Sequence, residues 1–82
     1  MGDKKIALVE KMVQFAEQEA ASGDYLNAII ILDKNAKELK EFISKQMVPF
    51  ENASILLDKI VTNRESVVTR ARSSLAKKAV QY

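Results

Sequence analysis

The chain predicts an all-α fold, an antiparallel up-down-up bundle of three helices. Three observations carry that expectation. Apolar residues recur every three or four positions from Ile6 to Leu75, which is the spacing of an amphipathic helix. Only two breaks interrupt the pattern, Ser22-Gly23-Asp24 and Gln46-Met47-Val48-Pro49, and both are rich in turn-forming residues. Both connections are short, so each helix must run antiparallel to the next.

The first helix is expected over residues 3–21. Val9, Val13, Ala16 and Ala20 form one apolar stripe, and Leu8, Met12 and Phe15 form a second beside it. Together they make a wide arc, as expected of a helix that touches two neighbours. Gly23 is placed to take the left-handed conformation that ends such a helix.

The second helix is expected over residues 25–45, with Asp24 as its N-cap. Ile29, Leu32, Ala36, Leu39 and Ile43 make a near-heptad seam, with Tyr25 on the same face. Asp33–Lys37 and Glu41–Lys45 are acidic-then-basic pairs four residues apart, which suits a solvated face. Ile31, Asn35, Glu38 and Phe42 line the flank beside the seam. That flank either finishes the core or borders a groove that takes a partner's helix. Ile30 points to the side of Lys34, Lys37 and Glu41, and exposure is expected for it.

Pro49 cannot continue the second helix and disfavours helical geometry at Val48. The third helix is expected over residues 51–78, capped before Pro49 or at Asn52. Its apolar face is Leu57, Ile60, Val61, Val67, Val68, Ala71 and Leu75. Thr62 to Ser66 is a polar break in that face, so looser packing is expected there.

At 82 residues the chain makes one small domain, residues 1–82, with little stability to spare. Apolar content of 48% and charged content of 29% suit a folded bundle and argue against disorder. There is no Cys and no His. Disulfides, thiol nucleophiles, the usual zinc ligands and the usual general base are therefore absent. No phosphate loop, paired-carboxylate cleft or nucleophile elbow occurs. The expectation is a non-enzyme with no metal, cofactor or small-molecule ligand. No secretory signal is expected, because Glu10 and Lys11 cut the apolar run of Ile6 to Val9 too early. The longest apolar run elsewhere, Ala28 to Leu32, is far too short to cross a membrane.

Net charge is +2 but unevenly spread. Residues 59–82 hold Lys59, Arg64, Arg70, Arg72, Lys77 and Lys78 against Glu65 alone. The third helix is thus a basic rod on a slightly acidic body, suited to an acidic protein segment or to phosphates. Nucleic acid is the weaker reading. There is no helix-turn-helix signature, aromatic interleaving or Gly-rich loop, and cations also complement a helix C-terminus.

Arg64 projects from between Ile60 and Val67 on the third helix, and a lone buried charge is costly. Glu19 lies within the apolar arc of the first helix. The first and third helices should run parallel, which puts Glu19 and Arg64 within about one turn in height. The expectation is an ion pair that fixes register. Alternatively, Arg64 lines a groove and awaits an acidic residue of a partner.

Ala16, Gly23-Asp24-Tyr25 and Ala28, with Arg70-Ala71 and Leu75 on the third helix, make a pattern that resembles the microtubule-interacting and trafficking (MIT) domain over about residues 4–80. Ile29, Ile31, Leu32, Leu39 and Ile43 follow that family's second helix without a gap. Tetratricopeptide hairpins share the Gly-x-Tyr-x-x-Ala turn. The resemblance implies a three-helix protein–protein interaction module, as found at the N-terminus of AAA ATPases that disassemble ESCRT-III filaments in protein transport and cell division. It implies binding of a short helical or extended tail peptide between helices, recruiting an attached ATPase or effector. Ala20 stands where the family often has Asp, Asn35 where a small Ala is usual, and Arg72 where Glu often follows the Arg-Ala pair. The reversed charge at Arg72 points to an acidic peptide. The chain also resembles small flagellar export chaperones, which hold a cargo's C-terminal helix. They share the Gly-Asp-aromatic turn and an Ile-x-x-Asn pattern like that of Ile60 to Asn63.

The expected partner-binding residues are Ile31, Asn35, Phe42, Val61, Arg64, Val68 and Arg72. The expected setting is the cytoplasm, with membranes reached only through the partner.

Overall fold

The computed structural model describes residues 2–80, and the side chains of residues 4–77. Three helices follow in order: α1 (Gly2–Ala21), α2 (Tyr25–Ser44) and α3 (Phe50–Val80). They form the antiparallel three-helix bundle that the spacing implied.

Each turn is built by capping chemistry. At the end of α1 the Asp24 N–H donates to the Glu19 carbonyl at 2.9 Å, and the Gly23 N–H to the Ala20 carbonyl at 3.1 Å. These are the two bonds of a Schellman cap, with Gly23 left-handed at φ 97°, a conformation that costs glycine little. Asp24 then serves the next helix: its Oδ1 accepts from the Asn27 N–H at 3.1 Å, satisfying one orphan donor of α2.

The end of α2 repeats the motif. The Met47 N–H donates to the Phe42 carbonyl at 2.9 Å, and the Gln46 N–H to the Ile43 carbonyl at 3.0 Å. Here the left-handed residue is Gln46, at φ 56°. Pro49 is the cap of α3, because its carbonyl accepts the Ala53 N–H at 3.0 Å. Neither cap position expected from sequence is observed: Asn52 lies inside the first turn, and the cap is Pro49 itself rather than a residue before it. Val48 before the cap and Ala53 four residues after it are both buried, the placement of a hydrophobic staple.

The core consists of Val9, Val13, Ala16 and Ala20 of α1, Ala28, Ile31, Leu32 and Leu39 of α2, Val48, and Ala53, Leu56, Ile60 and Val67 of α3. Among the described residues it holds four alanines and no fully buried aromatic ring. Small side chains let the helices approach closely, but each contributes little apolar area. Asn35 is 1% exposed among these residues, and its Nδ2 has no hydrogen-bond partner.

α2 packs extensively against both α1 and α3, whereas α1 and α3 meet only slightly. This corrects three expectations. On α2, the buried residues are Ala28, Ile31, Leu32, Asn35 and Leu39, while Ile29, Ala36 and Ile43 are only partly buried. The buried centre is rotated by roughly 70° from the expected seam, toward the Ile31 flank. On α1, Leu8 is 61% and Phe15 48% exposed, so of the second stripe only Met12 packs against the core. On α3, Val61 and Leu75 are exposed, whereas Leu56, unmarked by the sequence pattern, is buried.

α3 is 31 residues long against 20 for each partner, an excess of about 16 Å. Leu75 still lies level with the α1–α2 turn, and α3 runs on beyond it.

The two caps predict opposite responses. Gly23→Ala places a Cβ at positive φ and should cost about 1 kcal/mol. Gln46→Gly relieves the same strain and should gain about 0.5 kcal/mol after the added freedom of the unfolded chain. Urea unfolding of the two variants, followed by circular dichroism, checks both signs.

Candidate functional site

Four of the seven expected partner-binding residues share one surface. Val61, Arg64, Val68 and Arg72 recur at helical spacing along the margin of α3 that faces α2. Val68 is half-buried and the other three are exposed. Arg64, Val68 and Arg72, with Glu65 and Thr69, bound a shallow depression of about 360 Å³.

The three residues expected on α2 do not join them. Ile31 and Asn35 are buried in the core. Phe42 is partly buried on the side of α1, where Lys Nζ of residue 5, Lys5, sits 5.2 Å from its ring centre. The reason is the double role of α2. Its flank packs on α1, so the margin that borders α3 is made by the next positions round the helix. There Leu26 is 71% and Ile30 56% exposed, beside half-buried Ile29 and exposed Asp33.

The expected Glu19–Arg64 pair does not form. Arg64 Nε donates to Asp33 Oδ1 of α2 at 2.5 Å, with side chains 45% and 53% exposed. Arg64 is thus an edge residue rather than a buried one, and an exposed pair of this kind contributes little stability. α1 and α3 stand at the expected relative height, since Asn63 Nδ2 donates to Glu17 Oε1 at 2.9 Å across them. The azimuth differs. Asn63 lies about 100° from Arg64 round the helix, and it is Asn63 that faces α1. This also closes part of the polar break, where Asn63 is half-buried and Thr62, Arg64, Glu65 and Ser66 are exposed.

At the turn end the same margin opens into a cleft of about 290 Å³. Gly23, Asp24, Tyr25 and Leu26 form one wall, and Ala71, Ser74 and Leu75 the other. Leu26 and Leu75, at 71% and 67% exposed, stand at its mouth. Sequence reasoning missed this cleft. The sequence pattern places Tyr25 and Leu75 on apolar faces and gives Leu26 no role. Its signal was the mismatch in helix lengths, which leaves α3 with no partner beyond the turn.

Arg70 fixes the cleft's frame. Its Nη2 donates to the Ala20 carbonyl at 3.5 Å, and its guanidinium lies 5.7 Å from the centre of the Tyr25 ring. One side chain thus ties the end of α1 and the start of α2 to α3. Arg72 and Lys77, both exposed, lie on the same helix. After Glu65 the third helix carries no acidic residue. The side chain of Lys78, counted among the basic residues, lies outside the described residues.

Among the described residues no group of three acidic, His or Cys side chains is placed to hold a metal, and no helix is long and apolar enough to cross a membrane. No protein-family model matches the chain, and neither a curated protein nor a solved structure matches it.

Arg70 and Arg72 should therefore separate structure from recognition. Arg70→Ala loses a cation–π contact and a carbonyl partner and should destabilise the fold by about 1 kcal/mol. Arg72→Ala should stay within about 0.5 kcal/mol of the parent. Thermal or urea unfolding of the two variants distinguishes them.

Proposed function

We propose that this domain is a peptide-recognition module that takes an acidic, amphipathic segment of a partner protein along the α2–α3 margin. The observation that carries the reading is the cleft between Tyr25-Leu26 and Ala71–Leu75, with the depression bounded by Arg64, Val68 and Arg72 elsewhere along the same helix. Exposed apolar side chains on this edge supply affinity, and the excess of cations on α3 after Glu65, set against Asp24 of the cleft wall, supplies selection. The reading agrees with a module like the MIT domain, acting in recruitment.

The positions behind that resemblance have local structural jobs. Gly23 and Asp24 build the turn, Ala28 is buried, and Tyr25 stacks on Arg70. They support the architecture, whereas the partner's chemistry is argued from the exposed margin alone. A single domain with so small a contact binds weakly, and linkage to other modules or to a filament strengthens it.

The test uses synthetic 12-residue peptides with Leu or Ile at helical spacing and Glu between them, alongside the same peptides with Lys for Glu. The acidic set should bind and shift the NMR signals of Leu26, Val68 and Leu75, and the basic set should not. Val68→Asp and Leu75→Asp should each weaken binding at least tenfold while helical circular dichroism persists. Binding that survives both substitutions, or a preference for the basic peptides, rejects the proposal.

A further inference from the structure

α1 carries a second exposed surface that the peptide reading does not use. Lys4, Leu8, Lys11, Met12, Phe15 and Glu19 lie in one band along the helix. Lys4 and Lys11 are exposed, Leu8 is 61% and Phe15 48% exposed, and Met12 and Glu19 are half-buried. The centre of this band lies roughly 120° round the helix from the buried stripe of Val9, Val13, Ala16 and Ala20. Its outer edge, at Lys4, Leu8, Lys11 and Phe15, is open to solvent, while Met12 packs partly against the core.

We infer that this band is a self-association surface, on which a second copy of the chain packs its own α1 in antiparallel fashion. The argument is the order of residues. In a two-fold pair each contact occurs twice, residue i meeting j and j meeting i. A two-fold axis between Lys11 and Met12 sets Leu8 against Phe15 of the second copy and Lys4 against Glu19, while Lys11 and Met12, on opposite edges of the band, each lie beside their own counterpart. Both relations are satisfied by one axis position. The apolar residues then flank the axis, the two Lys11 head groups turn outward to water on their stems, and opposite charges meet at both ends.

A partner of one sign is disfavoured, because the band is basic at its N-terminal end and acidic at its C-terminal end. The complement must carry the reverse order, and an antiparallel α1 does. The contact spans about 22 Å of helix. With so few apolar side chains the dimer is weak, with a dissociation constant on the order of 0.1 mM. It leaves the α2–α3 margin free.

Sedimentation equilibrium from about 10 µM to 1 mM should show the parent chain passing from one copy to two. Leu8→Gln, outside the core, should weaken association at least fivefold with unchanged helical circular dichroism. Lys4→Glu sets Glu against Glu, and Glu19→Lys sets Lys against Lys, so each variant alone should weaken association about threefold or more. Mixed in equal amounts they should associate again, because each heterodimer restores two opposite-charge pairs. A parent that stays a single copy at 1 mM overturns the inference. So does a Leu8→Gln variant that pairs as well as the parent, or a mixture no more associated than its components.

Discussion

One helix must satisfy two neighbours, and the rest of the structure follows from that. α2 lies against both α1 and α3, which scarcely touch each other. It therefore needs two packing faces, one through Ile31 and Asn35 and one through Leu32 and Ile29. Once both are used, little apolar surface is left to close the outer margins. The exposed Leu8 and Phe15 of α1, and Leu26 and Leu75 at the cleft, are the remainder of that arrangement. The core is correspondingly lean. Four alanines and an orphaned Asn35 amide sit where larger apolar side chains would stabilise more. An unpaired buried amide costs about 1–3 kcal/mol, a large share of what so small a domain commands.

The helices and their ends were readable in the chain because the signals are local. Spacing places residues on a face, Gly23 marks a left-handed turn and Asp24 a cap, and the bonds at those positions bear this out. Gln46 gave no such signal, since its left-handed backbone is imposed by the cap bonds rather than by its own preference. The failures concern azimuth. Periodicity says that Arg64 and Ile60 share a face; it does not say which neighbour that face meets. Asn63 turned out to face α1 and Arg64 to face α2. Ile31, Asn35 and Phe42 were likewise placed on the correct flank of α2, but that flank belongs to α1. The cleft had only an indirect signal, the mismatch in helix lengths, because its place depends on the register of α3 against the α1–α2 turn rather than on any single residue.

The two surfaces proposed as functional lie on different helices and differ in chemistry. The α2–α3 margin carries more cations than anions toward the end of α3, Asp24 being the acidic group of the cleft wall, which suits an acidic partner. The α1 band carries both signs in an order that its own antiparallel copy complements. Used together, they would present two peptide sites on one assembly, and two weak contacts with a partner array bind far more tightly than one. Arg70 underlies both, since it holds the end of α1 to the cleft's aromatic wall.

Native-state hydrogen exchange tests the central role of α2 most directly, because protection follows how completely each segment is enclosed. The slowest amides should fall on α2 between Leu32 and Leu39, with the middle of α3 next, α1 faster, and α3 beyond Leu75 fastest of the helical segments. Slowest exchange on α1, or equal protection from Phe50 to Val80 along α3, would contradict the account.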